Sequence, residues 1–134
     1  MFGKKKQPPI KSLIAQGTRI NGHVTFEDGL RVDGEVMGDI RAIKNASSIL
    51  VISEEASVCG QIHADHVIIN GHVKGPVHAL TLLELQPKAR VEGDVFYKAL
   101  EMHQGATIEG QLKPMIGERE QEDKPTLKLA ANNQ

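Results

Sequence analysis

The stretch from Leu83 to Leu112 states one pattern twice: Leu83, Leu85, Ala89, Val91, Gly93 and Val95, then Leu100, Met102, Ala106, Ile108, Gly110 and Leu112. A third copy stands upstream as Leu50, Ile52, Ala56, Val58, Gly60 and Ile62. In each copy apolar or small residues fall on alternate positions, four positions separate the second from the third, and a glycine sits between the last two. Alternation with a period of two puts successive side chains on opposite faces of a strand. A unit this short cannot bury its apolar face alone and must stack on copies of itself, as in a solenoid.

The units open at Leu50, Val67, Leu83 and Leu100, in steps of 17, 16 and 17 residues, with Leu30 20 residues before the first. The Val67 unit keeps the alternation through Val67, Ile69, Val73, Val77 and Ala79 but carries its glycines at Gly71 and Gly75. The Leu30 unit, with Gly34 and Gly38, resembles it. Such a step divides into three strands of about 5 to 6 residues. The expected fold is all-β: a single-domain, three-sided β-helix of about six rungs between residues 14 and 112. A five-residue signature, apolar-x-Gly-x-apolar, recurs through it, as in Ile20-Asn21-Gly22-His23-Val24, Val32-Asp33-Gly34-Glu35-Val36 and Ile69-Asn70-Gly71-His72-Val73. Lys44 to Ser48 lengthens one turn and reads as a loop.

Composition agrees. The 134 residues suffice for one domain, and 40% of them are hydrophobic although aromatics are only 3%; a narrow column filled by Val, Ile, Leu and Ala has little room for rings. A net charge of −1 conceals an asymmetry. Through Phe26 the chain carries Lys4, Lys5, Lys6, Lys11 and Arg19 and no acid, whereas from Glu27 to Leu112 acids outnumber bases. An acidic body argues against nucleic acid as partner. The single cysteine, Cys59, forms no internal disulfide and suits a reducing cytoplasm. No apolar run has the length of a membrane span, and the basic start leads into Pro8-Pro9 rather than an apolar signal core.

Three parts follow: a basic arm over residues 1–17, the β-helix over 18–113, and a charged tail over 114–134. The two prolines exclude helix and ladder pairing, so the arm is expected to be flexible or polyproline-like. Phe2 followed by Lys4, Lys5 and Lys6 predicts attachment to an anionic membrane, each lysine contributing about 1 kcal/mol. That is weak for one chain and strong for a polymer displaying many. The tail, with Gly117 to Asp123 reading Gly-Glu-Arg-Glu-Gln-Glu-Asp, has no core-forming period. No capping helix is evident at either end. An uncapped column offers complementary, non-identical ends that join head to tail without closing, which generates a filament. Its expected contact residues are Ile20, Val24 and Phe26 at one end and Leu100, Met102, Ile108 and Leu112 at the other.

The recurring Val-x-Gly-x-Val units over residues 18–112, together with Met1-Phe2-Gly3-Lys4-Lys5, resemble the bactofilin family. The resemblance implies a right-handed triangular β-helix that polymerises without nucleotide into bacterial cytoskeletal filaments. These would lie on the inner face of the cytoplasmic membrane and position cell-wall enzymes or other envelope proteins that set cell shape. Members of the family often place an aromatic residue in the last rung at the filament contact, where this chain has Ile108.

The competing class is a hexapeptide-repeat enzyme, an acyltransferase or a γ-type carbonic anhydrase, which also winds a triangular β-helix. His23, His63, His66, His72, His78 and His103 raise the zinc version, in which three histidines converge and leave a water position open. His23, His63 and His72 instead fall at outward positions beside repeat glycines or inward apolar residues, each on a different rung, and the histidines read as surface residues. The protruding loop and C-terminal helix of an acyltransferase are missing from the pattern, and the steps are not strict sixes. Glu54-Glu55 and Cys59 lack convergent partners, Phe96-Tyr97 alone makes a thin stacking platform, and no strand, glycine loop and helix combine to cradle phosphate. The expectation is a structural polymer with no catalytic residue, cofactor or metal; a small monomeric β-helix adaptor is the third possibility.

Overall fold

The computed structural model describes residues 8–43 and 47–115. Within them the chain is strand and turn throughout, with every strand pairing parallel. Six rungs stack, each contributing to three walls. The first rung is β1 (Ile10–Ile14), β2 (Arg19–Asn21) and β3 (Val24–Phe26); the second is β4 (Gly29–Val32), β5 (Glu35–Met37) and β6 (Ile40–Ala42). The third begins with β7 (Ile49–Ile52) and β8 (Ser57–Cys59) and runs into β9 (Ile62–Ile69), which turns a corner and opens the fourth. Then β10 (His72–Lys74) leads to β11 (Val77–Leu85), and β12 (Arg90–Glu92) to β13 (Val95–Met102), both of which also turn a corner. The last rung closes with β14 (Thr107–Glu109) and β15 (Leu112–Pro114).

The register explains the alternation. On the second wall Ile20, Val36, Val58, Val73, Val91 and Ile108 stand above one another. The third wall stacks Val24, Ile40, Ile62, Val77, Val95 and Leu112. The first wall stacks Leu30, Leu50, Val67, Leu83 and Leu100. In the middle rungs these columns are sealed: Val36, Val58, Val73, Ile40, Ile62, Val77, Leu50, Val67 and Leu83 are all 0% exposed. At about 25 cal/mol per Å2 of apolar surface removed from water, each contributes roughly 1.5 to 3 kcal/mol.

Two corners carry glycine for different reasons. Between the second and third walls Gly22, Gly38, Gly60, Gly75, Gly93 and Gly110 form a vertical column. A Cβ at Gly38 would collide with the Gly22 carbonyl oxygen, one at Gly60 with that of Gly38, and so on through Gly110. Gly60 also holds φ +156°, and Gly38, Gly75 and Gly93 lie between +145° and +158°. Between the first and second walls the corner comes in two lengths. Ser53 to Ala56, Gln86 to Ala89 and His103 to Ala106 are four-residue turns closed by a backbone hydrogen bond from the last residue to the first. Gly34 and Gly71 make shorter corners that nest against the turn of a neighbouring rung, where a Cβ would strike the Thr18 or Ser53 carbonyl oxygen. The shorter corner at Gly71 accounts for the step of 16 against 17, whereas the step of 20 from Leu30 comes from the longer connection between Ile40 and Leu50. The two kinds of corner also correct the reading of one recurring signature: Val32 to Val36 and Ile69 to Val73 belong to a different corner from Ile20 to Val24.

The ladder starts earlier than the sequence predicts. β1 lies inside the stretch read as an arm and pairs with β4, from Ile10 against Gly29 to Ile14 against Val32. Pro8 and Pro9 forbid pairing only at their own positions, and Ile14, 8% exposed, gains burial by joining. Residues 1–7, the Lys44-to-Ala46 part of the expected loop, and residues 116–134 of the expected tail lie outside the described residues.

Candidate assembly surfaces at the two ends

Among the described residues, no further rung covers the columns at either end of the stack. Among the described residues β2 and β14 are the terminal strands of their sheet, β3 pairs only with β6, and β15 only with β13. Of the residues read as contacts from sequence, Ile20, Val24 and Phe26 lie in the first rung and Leu100, Met102, Ile108 and Leu112 in the last. The structure thus places them in two groups at opposite ends of the stack. At the first end Ile14, Ile20, Val24, Phe26 and Leu30 line an open hollow of about 500 Å3. At the last end Leu100 and Ile108 are half-buried, and Met102 and Leu112 are 44% and 46% exposed. The residues one rung inside, Leu85 and Val95, are 0% exposed. Only the lack of a further rung separates these environments.

Polar groups beside the glycine column show how one rung docks on the next. The Gln61 N–H donates to Asp39 Oδ1 at 2.9 Å and the Gln111 N–H to Asp94 Oδ1 at 2.9 Å. On the outside, Arg19 pairs with Glu35 at 2.9 Å across the first two rungs, and Lys11 reaches Asp28 at 2.6 Å. The hydrogen bond to Asp28 raises the Lys11 pKa. A hydrogen bond from Ser53 Oγ at 2.5 Å, with Arg31 beside it, holds the Asp33 carboxyl below the usual range.

The histidines do not converge on a metal. Among the described residues no group of three or more His, Cys, Asp or Glu gathers to hold one. His72 Nε2 lies 2.6 Å from Glu92 Oε2, which lowers the pKa of that carboxyl, and His103 lies 3.4 Å from Glu84. Sequence reasoning missed that His63 and His78 are neighbours on the third wall. Their ring centroids are 5.5 Å apart, His78 stacks on Phe96 at 4.4 Å and 2°, and Lys113 lies over Phe96. Burial pushes both imidazole pKa values down. Each ring stands one residue after an inward Ile62, Val77 or Val95, so the repeat phase was the signal that could have found the ladder. Cys59 is a half-buried free thiol.

The expected membrane-binding residues Phe2, Lys4, Lys5 and Lys6 lie outside the described residues. No helix among the described residues is long and apolar enough to cross a membrane. No curated protein and no solved structure matches the chain. A family model does: that of the bactofilins, described as polymer-forming cytoskeletal, over residues 12–113, nearly all of the stretch from Ile10 to Pro114 that the six rungs occupy. With its repeat, its parallel ladders and this match over most of its length, the chain belongs to the bactofilin family of polymer-forming cytoskeletal proteins.

Proposed function

We propose that this protein is a structural subunit rather than an enzyme, that it assembles end to end without nucleotide, and that its filaments lie on the inner face of the cytoplasmic membrane. There they scaffold the enzymes or envelope proteins that build the cell wall and set cell shape. One observation carries the assembly step. Apolar columns 0% exposed in the middle rungs end on Met102 and Leu112, 44% and 46% exposed, and on the hollow lined by Ile20, Val24 and Phe26. Joining two ends would cover that surface and pair the terminal strands, about 4.8 Å apart, as within the column. In a head-to-tail joint Ile108 would meet Ile20 and Leu112 would meet Val24, continuing two inward columns. The membrane step is supported by the residues Phe2, Lys4, Lys5 and Lys6 at the start of the sequence.

Two substitutions separate assembly from folding. Val95, 0% exposed, sits inside the stack, so Val95→Asp buries an unpaired charge and costs several kcal/mol, about 3 to 5. Ile108 is half-buried in the last rung, so Ile108→Asp leaves a folded chain that no longer sediments as a polymer. Circular dichroism and analytical ultracentrifugation read the two effects. An Ile108→Asp protein that polymerises like the parent removes the last rung from the contact.

A further inference from the structure

The first wall carries an apolar patch on its outer surface. Its outward positions form two columns, Gly29, Ile49, His66, Leu82 and Ala99 in one, and Arg31, Val51, Ile68, Glu84 and Glu101 in the other. In the third to fifth rungs Val51, Ile68 and Leu82 are half-buried, and Leu80 at the adjoining corner is 41% exposed. A β-wall facing water normally alternates apolar inward with polar outward; here Ile49, Val51, Ile68 and Leu82, four of the six outward residues of these rungs, are apolar too. Acids Glu84 and Glu101 border the patch at its far side.

Ile10 stands at the head of the first of these columns, paired with Gly29. The backbone just before it already leans on the second rung, because a Cβ at Gly29 would collide with the Pro9 carbonyl oxygen. The glycine leaves room for the incoming chain. Residues 2–8, at about 3.1 to 3.3 Å each when extended, span roughly 22 Å. The distance from the second rung to the fifth is about three spacings of 4.8 Å, or roughly 14 Å. Residues 2–6 carry one aromatic side chain and three lysines, and the wall offers an apolar patch beside two carboxylates.

We propose that residues 1–7 of the same chain dock along the outer surface of the first wall, with Phe2 on Ile68, Leu80 and Leu82 and the lysines facing Glu84 and Glu101. Docking and membrane attachment then compete for the same residues, so a chain away from the membrane keeps Phe2 covered.

The test replaces Phe2 with a photoreactive benzoyl-phenylalanine in the full-length protein, irradiates it without membranes, and maps the products by mass spectrometry. A mixture of unlabelled and 15N-labelled chains separates links within a chain from links between chains. The expected result is links within one chain to residues 66–84, reduced at least fivefold by Ile68→Lys, an outward change that leaves the interior intact. Links between chains, links spread over the other walls, or a yield indifferent to Ile68→Lys would overturn the proposal. Because no membrane is present, this result is independent of whether residues 2–6 bind vesicles.

Discussion

Single residues in this protein are fixed by what stands one rung away. Gly60 is the clearest case: it holds φ +156°, and a Cβ there would strike the carbonyl oxygen and carbon of Gly38. Backbone on both sides leaves nothing flexible to give way. Gly60→Ala is therefore expected to cost about 2 to 5 kcal/mol, from strain and overpacking together. Gly17, at φ +91° in a first-rung turn, has nothing within 4 Å of its would-be Cβ. Gly17→Ala should cost only about 1 kcal/mol, the conformational part alone. Urea unfolding of the two variants reads the difference; equal costs would show that contact between rungs does not constrain the corner. At this scale the sequence was informative but ambiguous. It displayed Gly34 and Gly60 in the same five-residue context, and only the register shows that they occupy different corners, because the distinction lies in the neighbouring rung rather than in the flanking residues.

At the scale of the strand, the inward set was legible and the outward set was not. Leu83, Leu85, Ala89, Val91 and Val95 were named by alternation and are 0–1% exposed, since a one-residue slip would turn them all into water. The small residue at the long corner was also visible: Ala56 and Ala89 turn inward at 3% and 0% exposure, where a larger side chain would not fit. Strand lengths were not legible. Instead of three short strands per turn, β9, β11 and β13 each run 8 or 9 residues around a corner, because Asp65, Leu80-Thr81 and Lys98 offer no glycine to mark the bend. β1 was hidden behind two prolines. The ladder of His63, His78 and Phe96 was missed because its members lie 15 and 18 residues apart and only the repeat phase, carried over to the outward positions, links them. That ladder sets a pH dependence. Burial lowers the pKa of His63 and His78, with Arg41 adding to it and Asp65 opposing it at His63. A buried neutral imidazole stabilises the fold fully above the unfolded histidine pKa of about 6.5, and that stability falls as pH drops below it. Asp33 and Glu92, whose pKa values are lowered in the fold, lose their contribution only in the more acidic carboxylate range. The melting temperature is expected to be lower at pH 5.5 than at pH 7.5, and the drop smaller in a His63→Gln, His78→Gln double variant. An undiminished drop in that variant would assign the effect to other groups.

The described residues form a column whose middle and end rungs are chemically alike and differ in what stands above or below them. That is a consequence of repetition: the residues that close Val91 and Val95 against water are the same kinds that leave Ile108 and Leu112 open to it. The first and last rungs were legible in the sequence because the alternation stops there, whereas the first-wall patch was not, since Val51, Ile68 and Leu82 lie in apolar runs and only the register shows them pointing outward. In the proposed filament, polymerisation would decide whether the basic residues 2–6 suffice for membrane attachment. A few kcal/mol per chain is reversible, but many such segments on one filament would act together. Deleting residues 2–6 is expected to leave polymer formation intact and to release the protein from vesicles containing anionic lipid, read by co-sedimentation; binding that survives the deletion would assign attachment to another surface. The central claim is that open ends make a filament, and negative-stain electron microscopy of the untagged protein, purified without nucleotide, tests it most directly. The account predicts long unbranched filaments one column wide, lost in Ile108→Asp; a uniform population of monomers or closed trimers at the same concentration would contradict it.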